Sequence, residues 1–124
     1  MAASAELRHG VQPVVSLTAI TESHRSRPGR IDVASGRTVT FRAKAQTPPS
    51  AGKIVKLEWD FEGDGQFTKT PIRSGREVSL DQKHSFNKPG TYFPVVRVTA
   101  QREGDPNTPF GLIQNLASIR VVVR

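Results

Sequence analysis

Apolar and polar residues alternate along this chain with a period of two, in short bursts separated by glycine, proline and small polar residues. The clearest burst is TVTFRAKA, where Val39, Phe41, Ala43 and Ala45 fall on one side and Thr40, Arg42 and Lys44 on the other. Successive side chains of a strand point to opposite faces, so this spacing predicts a strand with one face in a core and one in water. Residues 14–21 repeat the pattern, with Val15, Leu17 and Ala19 set against Ser16, Thr18 and Ile20. Residues 54–61 place Val55, Leu57, Trp59 and Phe61 inward and Lys56, Glu58 and Asp60 outward. A short extended piece starts at Ile31, and the alternation over 78–86 is less clean. Tyr92, Pro94, Val96 and Val98 share a face of 91–100, as do Ala117, Ile119, Val121 and Val123 of 116–123. Pro94 has no N–H to give, which argues against a ladder partner on that side.

The stretches between these bursts are turn-like. TPPSAGK (47–53) and QREGDPNTPFG (101–111) read as loops, NKPG (87–90) as a tight turn, and GDGQFTKTPIRSGRE (63–77) as a turn, a short edge piece and a second turn. No segment carries a helical period. About seven strands separated by turns predict an all-β fold, an antiparallel two-sheet sandwich. The sandwich is expected to span residues 13–124, with 1–12 a tail or the end of a preceding domain.

A chain of 124 residues holds one core, and its apolar residues, though only 35%, are grouped as a folded domain requires. No apolar run approaches the roughly 18 residues that would read as a membrane span. The start, MAASAELRHG, lacks the charged-then-apolar pattern of a signal peptide. Cysteine is absent, which excludes disulfides, thiolate metal sites and thiol nucleophiles. Eighteen basic side chains against 11 acidic ones leave a charge of +7, which favours anionic partners. The basic residues are scattered from Arg8 to Arg124, with the densest cluster in HRSRPGR (24–30), so solubility is the plainer reading. Nucleic acid is disfavoured as a partner, because no aromatic residues interleave the charges and no recognition motif occurs.

Catalysis finds little support. There is no nucleophile elbow, phosphate loop or zinc-helix motif, and His9, His24 and His84 lie in unrelated segments. The chemically densest stretch is WDFEGDG (59–65), where Asp60, Glu62 and Asp64 stand at every second position and Gly65 comes next. That is the first half of a calcium loop, with Phe67 at the apolar eighth position, but Pro71 occupies the twelfth, where a bidentate glutamate belongs. A closing ligand would have to come from Glu58, Glu77 or Asp81. The competing reading is a turn, in which Asp60 and Asp64 accept backbone N–H groups and Lys53, Lys56, Lys69 or Arg73 balances the charge. An acid/base role for Asp60 and Asp64 would need a cleft that a strand end beside a hairpin does not offer.

Three pieces occur in a telling order: WDFEGDG (59–65), HSFNKPGTYFPVVRVTA (84–100) and a closing valine-rich strand. Together they resemble a PKD domain, the immunoglobulin-like sandwich named after the repeats of the polycystic kidney disease protein. Trp59, Asp60, Phe61, Gly63, Asp64 and Gly65 match that family's first motif, with Glu62 as an extra residue. His84, Pro89, Gly90 and Tyr92 match the second, with Phe86 where tyrosine is usual. Trp59 and Tyr92 share the inward parity and are expected to meet in the core, each seeking a hydrogen-bond partner. The resemblance implies a non-catalytic accessory module of a larger, secreted bacterial protein, extracellular or periplasmic, acting as a spacer or as a contact surface for a neighbouring domain or a polymer. A calcium-stabilised module that binds carbohydrate or protein is the alternative. A monomer is expected. With Trp59 and Tyr92 inside, Phe93 and Phe110 are the rings expected on the surface, and phenylalanine alone makes a poor sugar platform.

Overall fold

The computed structural model describes residues 12–22 and 29–124. All but the last residue of the tail assigned to residues 1–12, together with His9, His24 and most of the HRSRPGR cluster, therefore lies outside the described residues. Ten strands run in order: β1 (Val14–Ile20), β2 (Arg30–Val33), β3 (Thr38–Gln46), β4 (Lys53–Asp60), β5 (Thr68–Thr70), β6 (Glu77–Ser85), β7 (Gly90–Tyr92), β8 (Val95–Gln101), β9 (Leu112–Ser118) and β10 (Arg120–Val123).

One layer is the antiparallel sheet β1-β3-β6. Its register aligns Leu17, Ala43 and Leu80, and likewise Val15, Ala45 and Val78, on the inner face. The uneven alternation of β6 has a simple cause: its inner row is completed by two polar residues, Gln82 and His84. The facing layer is built from β5-β4-β8-β9 and β2-β10-β7. The two parts share one long ladder. Val95 pairs with Ser118 and Tyr92 with Val121, which leaves two residues on each strand between the paired stretches and no slip in register. The interruption falls at Pro94. Ile119 N–H reaches the Pro94 carbonyl at 3.3 Å, and Ser118 Oγ donates to the same oxygen at 2.8 Å. The residue that could not complete the ladder as a donor thus anchors it as an acceptor.

This interruption explains why about seven strands became ten. The expected strands 91–100 and 116–123 are each divided at the same level, and the short edge piece is β5. The strand β9 also begins earlier than the apolar pattern suggested, because Leu112 and Leu116 are outward residues of a strand whose first half carries little inward apolar character. The sheet is not purely antiparallel, since β2 runs parallel to β10.

The core lies between the layers and contains Ala19, Val39, Phe41, Ala43, Ile54, Leu57, Trp59, Val96, Val98, Ile119 and Val121. The chain enters the sandwich at the end marked by Val14, Gln46 and Glu77. It leaves at the opposite end, where Arg124 N–H bonds Val33 O at 3.0 Å and Ser35 N–H bonds Arg124 O at 3.0 Å. No helix among the described residues is long and apolar enough to cross a membrane.

Candidate functional site

The motif residues gather at the exit end of the sandwich, around the turn after β4. Parity placed Asp60 in water, but the structure buries it, leaving 4% of its surface exposed. The reason is local. The chain reverses over its side chain, and three N–H groups point inward at the carboxylate: Gly63 and Asp64 donate to Oδ1 at 2.8 and 3.3 Å, and Gly65 donates to Oδ2 at 2.8 Å. Gly63 and Gly65 adopt φ of 71° and 84°, the left-handed region that glycine enters without a side-chain penalty. Burial alone would push the Asp60 carboxyl up, but the N–H groups of Gly65, Gly63 and Asp64 outweigh it and hold it below the usual carboxylate range.

The other two carboxylates go elsewhere. Asp64 Oδ1 accepts the N–H of Gln66 at 3.0 Å, a local turn bond. Glu62 Oε1 reaches across to the other layer and meets His84 Nε2 at 3.0 Å. Glu62, the extra residue of the motif, thus ties the β4 turn to β6 of the facing sheet. Asp60, Glu62 and Asp64 therefore do not converge, and no group of three or more acidic or histidine side chains among the described residues is arranged to hold a metal ion. Two of the three residues considered as closing ligands are engaged too. Glu58 takes a two-pronged bond from Arg97, both contacts at 3.1 Å, and Asp81 one from Arg42 at 2.9 and 3.0 Å. Sequence reasoning looked for counter-charge among Lys53, Lys56, Lys69 and Arg73. It missed Arg97, which is distant in sequence but faces Glu58 directly in the β4–β8 register and stacks on Phe67 at 3.9 Å. The alternation of β8 against β4 carried that signal.

Behind the turn, the rings form a continuous stack. Trp59 lies flat on Phe61 with centroids 5.1 Å apart, and Phe61 lies flat on His84 at 4.5 Å. Phe86 meets His84 edge-on at 4.7 Å and Tyr92 at 4.5 Å. Trp59 and Tyr92, expected to meet, are instead linked through Phe61, His84 and Phe86. Tyr92 finds its partner, donating to Lys88 O at 2.8 Å, whereas Trp59 Nε1 is buried with no partner. Pro89 and Gly90 shape the turn that sets Tyr92 over Phe86. The motif residues thus gather at one end of the sandwich, where Trp59, Asp60 and Phe86 are buried and Asp64, Pro89 and Gly90 are exposed.

The surface rings are those the sequence indicated: Phe93 is 53% exposed and Phe110 77%. The long loop carrying Phe110 is held by Gln101, whose Oε1 accepts from Glu103 and Asp105 N–H at 2.8 and 2.7 Å and whose Nε2 donates to Phe110 O at 3.2 Å. A shallow depression lined by Val14, Ser16, Lys44, Gln46, Glu77 and Ser79 lies at the other end of the sandwich from the motif cluster.

Comparison with known families agrees with the geometry. The PKD domain model matches residues 27–109, a span from β2 into the loop before β9 that contains both motifs. Domains of that kind are generally non-catalytic, typically sit within larger chains and typically occur in extracellular or surface proteins. No curated protein matches the chain.

Proposed function

The chain belongs to the PKD domain family, and from that premise we propose that residues 13–124 form a non-catalytic accessory module of a larger secreted bacterial protein. The module separates its neighbours and offers them, or a polymeric target, a contact surface. The observation that carries this reading is the placement of the first and last strands. The chain enters the sandwich beside Gln46 and leaves beside Ser35, at opposite ends of the nine-residue strand β3. Such a strand spans about 30 Å, so neighbours would be held apart by roughly the length of the domain. The carboxylate nearest to an acid/base candidate, Asp60, is fully engaged by its own turn, which supports a module without chemistry of its own.

The spacer reading is tested by placing residues 13–124 between two fluorescent proteins. Energy transfer should stay low and constant until the domain unfolds. Transfer as high and as variable as through a flexible linker of equal length would overturn the spacer.

The separate engagement of Asp60, Glu62 and Asp64 favours a self-contained turn over the calcium-stabilised alternative. A cation at the Asp60 carboxylate would compete with the N–H groups of Gly63, Asp64 and Gly65 that already point at it. Calcium at millimolar concentration is therefore expected to leave the melting temperature unchanged and to release no heat in a calorimetric titration. A saturable rise in melting temperature would reinstate the calcium reading.

A further inference from the structure

The outward face of the β2-β10-β7 sheet has an imbalance of charge. Arg120 stands beside Arg30 in the parallel register, and Arg124 lies further along the same strand direction. Among the described residues one carboxylate serves them: Asp32 meets Arg30 at 2.9 Å and Arg124 at 3.7 Å. Arg120 is exposed and has no carboxylate within 4.0 Å among the described residues. Beside this strip the surface is apolar, with Phe93 and Leu116 each 53% exposed. Phe93 falls opposite Arg120 in the uninterrupted register of the long ladder. The outer face of β1-β3-β6 differs, because there Arg42 is matched by Asp81 and only Lys44 and Lys83 stand against Glu77.

We propose that this strip binds an acidic polypeptide segment in extended form, lying along β10 with its carboxylates on Arg30, Arg120 and Arg124. An extended peptide presents every second side chain to one face at a repeat of about 6.7 Å, the same repeat that spaces outward residues along β10. The facing side chains therefore fall in step with Arg120, Val122 and Arg124, so acidic residues four positions apart meet Arg120, with Arg30 beside it, and Arg124, and guanidinium groups bind carboxylates in the two-pronged manner already made by Arg97 and Arg42. Phe93 and Leu116 give apolar side chains of such a peptide a place to rest, a feature that favours polypeptide over acidic polysaccharide. The acidic turn adjoins Phe93 through Gly63. It repels the ligand on that side and confines it to the β10–β2 strip. This deepens the contact-surface reading and rests on it.

The test is binding of a labelled synthetic peptide with glutamate at every fourth position and alanine between, read by fluorescence anisotropy at low and at physiological salt. Wild type should bind, and Arg30→Glu with Arg120→Glu should weaken binding roughly tenfold or more. Lys44→Glu with Lys83→Glu, the same change in charge on the opposite face, should leave it within about twofold. Arg120→Ser alone gives a milder variant if the double replacement does not fold, and it should still weaken binding measurably. Absence of binding by wild type, or equal losses in the two double variants, would overturn the proposal. Polygalacturonate bound as well as the peptide, with the same dependence on Arg30 and Arg120, would overturn the assignment to polypeptide. None of these outcomes touches the spacer reading, which the energy-transfer measurement decides.

Discussion

Trp59→Ala is expected to remove about 3–5 kcal/mol of stability, the range for truncating a buried aromatic ring to alanine. In a domain with roughly 5–15 kcal/mol in all, that is the largest single loss proposed for this molecule, a drop of roughly 10–25 °C in melting temperature. The position explains the size. Trp59 is 2% exposed, and its ring begins the stack that runs through Phe61 to His84. Removing it opens a cavity between the layers and leaves one face of Phe61 without a partner. Trp59→Phe should cost far less, about 1–2 kcal/mol, for a reason beyond ring size. The indole Nε1–H is buried without an acceptor, so phenylalanine removes an unpaired donor together with the lost volume. Thermal and denaturant unfolding of the two variants would check both values. Wild-type stability in Trp59→Ala would place the ring in solvent and return it to candidacy as a ligand platform. A cost for Trp59→Phe equal to that for Trp59→Ala would mean that the indole nitrogen has found a partner, such as an ordered water.

Much of this fold was readable because a half-buried strand writes its orientation into the sequence. Val39, Phe41, Ala43 and Ala45 alternate with polar residues, and the structure buries all four. The same rule misjudged Asp60. Parity describes a side chain on a continuing strand, but Asp60 is the last residue of β4, and the chain from Gly63 to Gly65 folds back over it. A strand end belongs to its turn, and a turn's burial depends on where its N–H groups point, which alternation does not encode. Pro94 shows a different limit. The sequence indicated that its N–H could not join a ladder, which was right, but not that its carbonyl would join one through Ile119 and Ser118. Pairing of that kind depends on register between segments more than 20 residues apart. Arg97 and Glu58 were hidden for the same reason, and Arg120 beside Arg30 even more so, because the parallel pairing of β2 and β10 joins opposite ends of the chain.

The motif, by contrast, was legible as a unit before its purpose was. Glycines and carboxylates at alternate positions suit both a calcium loop and a self-capping turn, because both need a sharp bend around oxygen. The two are separated by the direction of the surrounding backbone dipoles. Carbonyl oxygens turned inward would make a cation site, whereas N–H groups turned inward make an anion site, and here the anion is Asp60 itself. Glu62 and Asp64 are then released from any shared task. One ties the turn to His84 across the sandwich and the other closes the next bend at Gln66.

That polarity sets the last expected result. Asp60→Ala should cost about 2 kcal/mol, because it removes a charged acceptor shared by the N–H groups of Gly63, Asp64 and Gly65. Asp60→Asn should cost somewhat less, since one amide oxygen still accepts while the amide nitrogen opposes a donor. Acid dependence distinguishes a charged cap from a merely packed one. The folded carboxyl lies below the usual range, so the unfolded chain takes up this proton more readily, and acid favours unfolding. The Asp60 contribution is therefore complete above about pH 5 and lost as pH falls through about 4 and below. Asp81, held down by its hydrogen bonds to Arg42, titrates in the same direction. The diagnostic quantity is accordingly the difference between wild type and Asp60→Asn. Unfolding monitored from neutral pH to about pH 3 should show that difference shrinking as acid is added. A gap that stays constant across the titration would mean that Asp60 caps the turn by shape alone, and that the three N–H groups hold no ionised carboxylate.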